Sequence, residues 1–241
     1  MNTDPTPTPT IAVVIPVHNM ARHLFRAVTS AVWQLGPGDE LIVVDDASTD
    51  LEDQAGLEPL LDRITWLRNP ARRGVSFSRN RAIRHANTDW VKPLDADDVL
   101  APFALDLVRH AAPIPPHVHV LGGGCHRVVN EQYQDYLSDT HESLQHLLER
   151  NPMLPSAVFL RRTAVLEVGL FDERIDSEQD WDLWLKLHER FGLGCFATTT
   201  NPVCYYWIHH EERSQKQRDA TVEGRPVREY FRQRYHATPP G

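Results

Sequence analysis

Lysine is nearly absent from this chain. Lys92, Lys186 and Lys216 are the only three among 25 basic residues, so arginine carries the positive charge and no single Arg is informative by itself. Cysteine is scarce too. Cys125, Cys195 and Cys204 are odd in number and far apart, with no CxxC pair, which argues against a structural zinc site or a disulfide framework and fits a reducing compartment. Long apolar runs are missing as well. Nothing approaches the ~18 consecutive apolar residues of a membrane span, and the first residues lack the charged-then-apolar pattern of a secretory signal. The cytoplasm is therefore the expected location, with a peripheral membrane contact left open. A net charge of −8 argues against a nucleic-acid partner held by bulk electrostatics. No internal repeat is present.

What is there is enough for a sizeable core. The 241 residues are 41% apolar and 24% charged, as in an ordinary globular protein of one large domain or two small ones. Residues 1–10 alternate Thr and Pro and read as an extended leader. Ile11-Ala-Val-Val-Ile15 is a β-branched apolar run that Pro16 should end, as expected of a buried parallel strand. Asn19 stands where an N-cap belongs, before a helical pattern over 20–34 with Leu24, Ala27, Val28, Ala31 and Val32 on one face. A second buried strand, Glu40-Leu-Ile-Val-Val44, runs into Asp45-Asp46. A helix over 51–61, a strand over 64–68, a helix over 75–86, a strand over 90–94 and a helix over 102–111 follow. This alternation predicts a doubly wound α/β sheet, whose ligands bind beyond the carboxyl ends of the strands. Those ends carry Pro16, Asp45/Asp46 and the cluster Asp95-Ala-Asp97-Asp98.

The second half is less regular. Pro113 to Pro116 mark a break, and 117–129 reads as strand interrupted by Gly122-Gly123-Gly124. A helix over 141–150, a strand over 157–161, a turn at Gly169, a helix over 179–191 bearing Trp181, Trp184, Leu185 and His188 on one face, and a strand over 203–208 ending at His209 come next. The tail from Ser214 on is polar, with a short helix over 227–235.

The residues suggest chemistry without fixing it. Asp97 or Asp98 could cap the helix that follows, or the cluster could hold Mg²⁺ or Mn²⁺ through hard carboxylate oxygens, with His209 adding an imidazole. Asp45 or Asp46 could accept from a nucleobase imide or a ribose hydroxyl, and Arg79 could face a carbonyl or phosphate. Glu178-Gln179-Asp180 puts a carboxylate at a helix N-terminus beside large aromatics, where the helix dipole lowers its pKa and burial raises it.

In order and spacing these segments resemble glycosyltransferase family 2, inverting nucleotide-sugar transferases of the GT-A fold. The resemblance is carried by Val13-Val-Ile-Pro16-Val-His-Asn19, Ile42-Val-Val-Asp45-Asp46-Ala-Ser48-Thr-Asp50, Ser78-Arg79-Asn80, Leu94-Asp95-Ala-Asp97-Asp98, Val168-Gly169-Leu-Phe171-Asp172-Glu173, Gln179-Asp180-Trp181-Asp182-Leu-Trp184 and Tyr205-Tyr-Trp-Ile-His209. It implies a GT-A domain over 11–214, a mostly parallel Rossmann-like sheet with a nucleotide-binding half (11–112) and an acceptor-side α+β half (113–214), followed by a tail at 215–241. It further implies that Pro16, Asn19, Asp45, Asp46, Arg79 and Asp95 line the nucleotide site. Asp97 and His209 would hold Mn²⁺ or Mg²⁺, and Asp180 would be the base that deprotonates an acceptor hydroxyl. The donor would be a nucleoside-diphosphate sugar, with uridine the default base, and the acceptor a glycan, lipid-linked or small molecule, as in cell-surface glycan synthesis.

Two departures from the family pattern stand out. The acidic pair common at the catalytic helix is here Gln179-Asp180, with Glu178 one place earlier as the alternative base. Trp207 stands where an Arg often precedes the late His, which removes the expectation of a phosphate contact there. Two other readings fit less well. The pair Asp45-Asp46 resembles that of receiver signalling domains, but it follows the second strand rather than the first, and no strand-end Lys lies downstream. A member that binds a nucleotide sugar without transfer would not need the full motif set.

Overall fold

The computed structural model describes residues 8–51, 56–110, 114–129, 132–137, 147, 149–208 and 221–235. Strand β1 (Ile11–Val17) lies between β2 (Glu40–Asp45) and β4 (Trp90–Pro93), and β3 (Thr65–Arg68) pairs with the outer side of β2; all four run parallel. The side chains of β1 are buried on both faces because the strand is covered on both. Ile11, Val13, Ile15 and Val17 join an apolar cluster with Leu24, Ala27, Val28 and Ala31 of helix α1 (Ala21–Val32). Ala12 and Val14 join the other, with Ala82 and Ile83 of α2 (Val75–His85). The continuous apolar run of the sequence thus divides by a period of two between two cores.

Past β4 the sheet changes character. The short β5 (Val99–Leu100) and helix α3 (Asp106–His110) lead to β6 (Val120–Val129) and β7 (Gln132–Leu137), and then to β8 (Val158–Arg161), helix α4 (Arg162–Glu167), helix α5 (Gln179–Phe191), β9 (Phe196–Ile208) and helix α6 (Val227–Tyr235). The strand order is β3-β2-β1-β4-β8-β6-β9-β5, with β7 on β6. Here β8 is antiparallel to β4 and β6, whereas β6 and β9 are parallel. The glycines do not interrupt β6. They let it bend, since the register against β9 shifts at Gly122–Gly124, and a Cβ on Gly123 would sit 2.4 Å from Val203. No described helix is long and apolar enough to cross a membrane.

Several local expectations need correction. Pro16 does not end β1; it pairs in register with Val44. It is tolerated because β4 stops opposite Val14, so the missing N–H faces no partner strand. Asn19 does not cap α1. It is left-handed (φ 51°), its Oδ1 accepts the Thr49 N–H at 2.8 Å, and Asp50 instead accepts the Ala21 N–H at 3.1 Å. Neither Asp97 nor Asp98 is a helix cap, because β5 follows and α3 begins only at Asp106. The helix expected over 51–61 is a 3-10 helix at Glu58–Arg63, with 52–55 outside the described residues. Most of the helix expected over 141–150 also lies outside them.

Candidate functional site

Two clusters form at the carboxyl ends of the parallel strands. The first is built on β2. Asp45, its last residue, is fully buried; its carboxylate accepts the Ser48 N–H at 2.8 Å and the Arg68 guanidinium at 2.6 Å, Arg68 being its register partner on β3. Asp46 is used differently. One oxygen accepts from Asn69 Nδ2 (2.7 Å) and the Arg73 N–H (2.8 Å), the other from the Gly74 N–H (2.8 Å), so the side chain organises the loop that launches α2. Asn19 ties the turn after β1 to the turn after β2: its N–H donates to Ser48 Oγ at 3.0 Å. Pro16, half-buried, is the last residue but one of β1 on this rim.

The second cluster centres on Arg79, which α2 carries inward and which is 2% exposed. Its guanidinium is ion-paired with Asp95 and lies 5.4 Å from the ring centre of Phe171, yet Nε and Nη1 have no partner among the described residues. Buried N–H groups left unpaired cost about 1–3 kcal/mol each, so an acceptor brought to this guanidinium would be favoured. Asn80, next along α2, donates to the Phe171 carbonyl (2.9 Å) and Glu173 (2.9 Å) and accepts the Phe171 N–H (3.0 Å), which fixes the turn beneath the guanidinium.

Asp95, Asp97 and Asp98 follow β4. The Asp95 N–H donates to Ser156 Oγ at 3.0 Å, and Asp98 accepts the Trp207 N–H at 3.0 Å, so the turn is held from β9 and from the segment before β8. Burial, then the charges of Asp95 and Asp97, push the Asp98 carboxyl well above the usual carboxylate range. Beneath it Lys92 is fully buried, donates to the Ser156 and Pro93 carbonyls, and has its pKa lowered by burial. Neither Lys92 nor Ser156 stood out in the sequence. The donor chemistry of this turn fits a hard divalent cation: carboxylate oxygens crowd at a strand end, where burial first and then the charges of Asp95 and Asp97 disfavour ionised Asp98. Among the described residues no group of three His, Cys, Asp or Glu is assembled as a ready metal cage, and the expected ligand His209 lies outside them.

Asp180 occupies the first turn of α5 and is 7% exposed. Its pKa is pushed up to about 6, first by burial and then by Glu178, against the opposing hydrogen bond from Asn151 and the charge of Arg79. A buried carboxylate with a pKa close to neutrality suits general-base work. Glu178, the residue before α5, is a left-handed non-glycine (φ 60°), an uncommon conformation that turns the chain into the helix. Arg79, Asp95 and Asp180 thus share one electrostatic neighbourhood. Asn151, which joins it from 29 residues upstream, carries no sequence signature.

Comparison with known proteins bears on family and fold. The family described as Glycosyl transferase family 2 matches residues 12–166. An uncharacterized glycosyltransferase of Haemophilus influenzae is 24% identical over 95% of this chain and 78% of its own length. Chondroitin synthase of Escherichia coli is 26% identical over 86% of this chain, which spans only 30% of that protein. Among solved structures, S. aureus TarS 1-349 in complex with UDP-GlcNAc superposes with a TM-score of 0.67 at 19% identity, covering 86% of this chain and 60% of that one. A mannosyltransferase of Pyrobaculum calidifontis in complex with GDP-Man and Mn²⁺ gives a TM-score of 0.61 at 22% identity, covering 86% and 59%.

Proposed function

The chain belongs to glycosyltransferase family 2 and is a glycosyltransferase of the GT-A fold, and from that premise we propose that it transfers a sugar from a nucleoside-diphosphate donor to an acceptor hydroxyl with inversion, using Asp180 as base. The observation that carries this reading is the buried Asp180 carboxylate, with a pKa of about 6, in the field of Arg79. Asp180 takes the proton of the acceptor hydroxyl. The acceptor oxygen bonds to the anomeric carbon as the bond from that carbon to the diphosphate oxygen breaks on the opposite face, and the nucleoside diphosphate leaves. Positioned base catalysis contributes about 10²–10⁴-fold.

Asp45 and Arg79 hold the nucleobase, Arg79 through N–H groups that have no partner among the described residues. Pro16 and Asn19 line that pocket, and Asp95, already paired with Arg79, approaches the ribose. Asp46 acts on the nucleotide indirectly, by fixing the loop that presents α2. Asp97, with His209, would hold Mn²⁺ or Mg²⁺, whose charge offsets that developing on the leaving diphosphate. Uridine is the favoured base, because the similar TarS binds UDP-GlcNAc; the GDP-Man of the similar Pyrobaculum calidifontis mannosyltransferase makes guanosine the next to test. The acceptor is a glycan, a lipid-linked sugar or a small molecule. Thermal unfolding of the protein against UDP- and GDP-sugars, with and without Mn²⁺, tests the donor class. A Mn²⁺-dependent rise in Tm with one donor supports the reading, and no rise with any of them contradicts it.

A further inference from the structure

We propose that Asn151 is a positioning residue for the base: its side-chain amide clasps Glu178 and Asp180 together and favours the ionised form of Asp180. The proposal rests on the assignment of Asp180 above. Asn151 Nδ2 donates to Asp180 Oδ2 at 2.8 Å and to Glu178 Oε2 at 3.1 Å. One NH₂ group therefore serves both carboxylates through its two hydrogens. The amide is oriented by its own oxygen, which accepts the Met153 N–H at 3.4 Å two residues on, so its nitrogen points at the carboxylates.

The clasp answers a specific electrostatic problem. Two carboxylates two residues apart repel, and burial adds to the cost of ionising the inner one. Glu178 raises the Asp180 pKa, whereas Asn151, Arg79 on α2 and the Trp181 N–H lower it. Asp182, the next acidic residue on α5, is ion-paired with Lys186 and Arg234 and accepts the Tyr235 hydroxyl. Of the groups that favour ionised Asp180, Asn151 makes the largest contribution and, among the described residues, is the one side chain that bonds directly to its carboxylate. A neutral donor can do this without the cost of a fixed counter-ion, which would hold the base permanently ionised and make it a weaker proton acceptor.

The test follows the Asp180 carboxyl by ¹³C NMR in protein labelled at aspartate carboxyl carbons, with its resonance identified by loss in Asp180→Asn. In Asn151→Leu the titration midpoint should move up by about one pH unit. In Asn151→Leu/Glu178→Gln it should return to the wild-type midpoint or below, because the repelling charge is gone. Asn151→Ala carries the same expectation should the Leu variant not fold. An unmoved midpoint in the single variant, or a double variant that does not reverse the shift, overturns the proposal. These titrations need no substrate. Failure of the base assignment shows separately, as retained transfer by Asp180→Asn.

Discussion

The Tyr235 hydroxyl donates to the carboxylate of Asp182 at 2.6 Å, and so joins the last described helix to the helix that carries Asp180. Asp182 is fully buried, paired with Lys186 at 2.7 Å and Arg234 at 3.3 Å. Phe231 of the same C-terminal helix meets Trp181 edge-on, with ring centres 5.1 Å apart. Helix α5 is thus braced from the C-terminal side as well as from the sheet. Removing one partner of a buried charged pair is costly, about 3–5 kcal/mol, and losing a neutral donor to it costs about 1–3 kcal/mol. Tyr235→Phe should therefore lower stability in urea by about 1–3 kcal/mol, and Asp182→Ala by more. Equal stability of Tyr235→Phe and wild type would show that the bond is not formed.

Asp180 should destabilise the protein it serves. Its folded pKa, about 6, lies above its ordinary value of 3.8. Between these values the folded state holds the proton more tightly, so stability falls as pH rises through the window, and the loss is complete above about pH 6. Two pKa units correspond to about 3 kcal/mol, an upper bound on what Asp180→Asn regains. The variant should unfold at a higher temperature than wild type at pH 8 and at the same temperature near pH 4. A difference in Tm that does not change with pH would contradict the burial of a titrating carboxyl.

Asp46 is a loop anchor, and its loss should show without any ligand. Three donors, from Asn69, Arg73 and Gly74, converge on its two oxygens. Asp46→Ala should cost about 3 kcal/mol or more of stability, and hydrogen exchange should quicken at the Arg73 and Gly74 amides. Exchange unchanged at both amides would return Asp46 to the group of direct nucleotide contacts.

Asp97 carries the metal assignment. Calorimetry with UDP and Mn²⁺ should show tight, metal-dependent binding by wild type and loss of the metal-dependent part in Asp97→Ala. Unchanged binding would move the cation elsewhere on the rim.

Much of this was legible in the sequence where a pattern repeats locally. The helix over 179–191 is legible residue for residue, because Trp181, Trp184 and Leu185 recur at helical spacing. The strand ends with Asp45 and Asp95 were located by apolar runs that stop at carboxylates. What could not be read depends on partners far apart in the chain. Asn151 reaches Asp180 across 29 residues, Trp207 reaches Asp98 across 109, and Tyr235 reaches Asp182 across 53. The C-terminal helix is legible over 227–235, but its links to Asp182 through Arg234 and Tyr235 are not. Asn19 looked like a cap from its position alone, whereas its left-handed backbone serves the neighbouring turn.

The most direct test is Asp180→Asn assayed with the nucleotide sugar that raises the Tm of wild type most. The variant should bind that donor with Mn²⁺ as tightly as wild type and turn it over at least ~100-fold more slowly. Transfer at the wild-type rate, with binding intact, would contradict the assignment of Asp180 as the base.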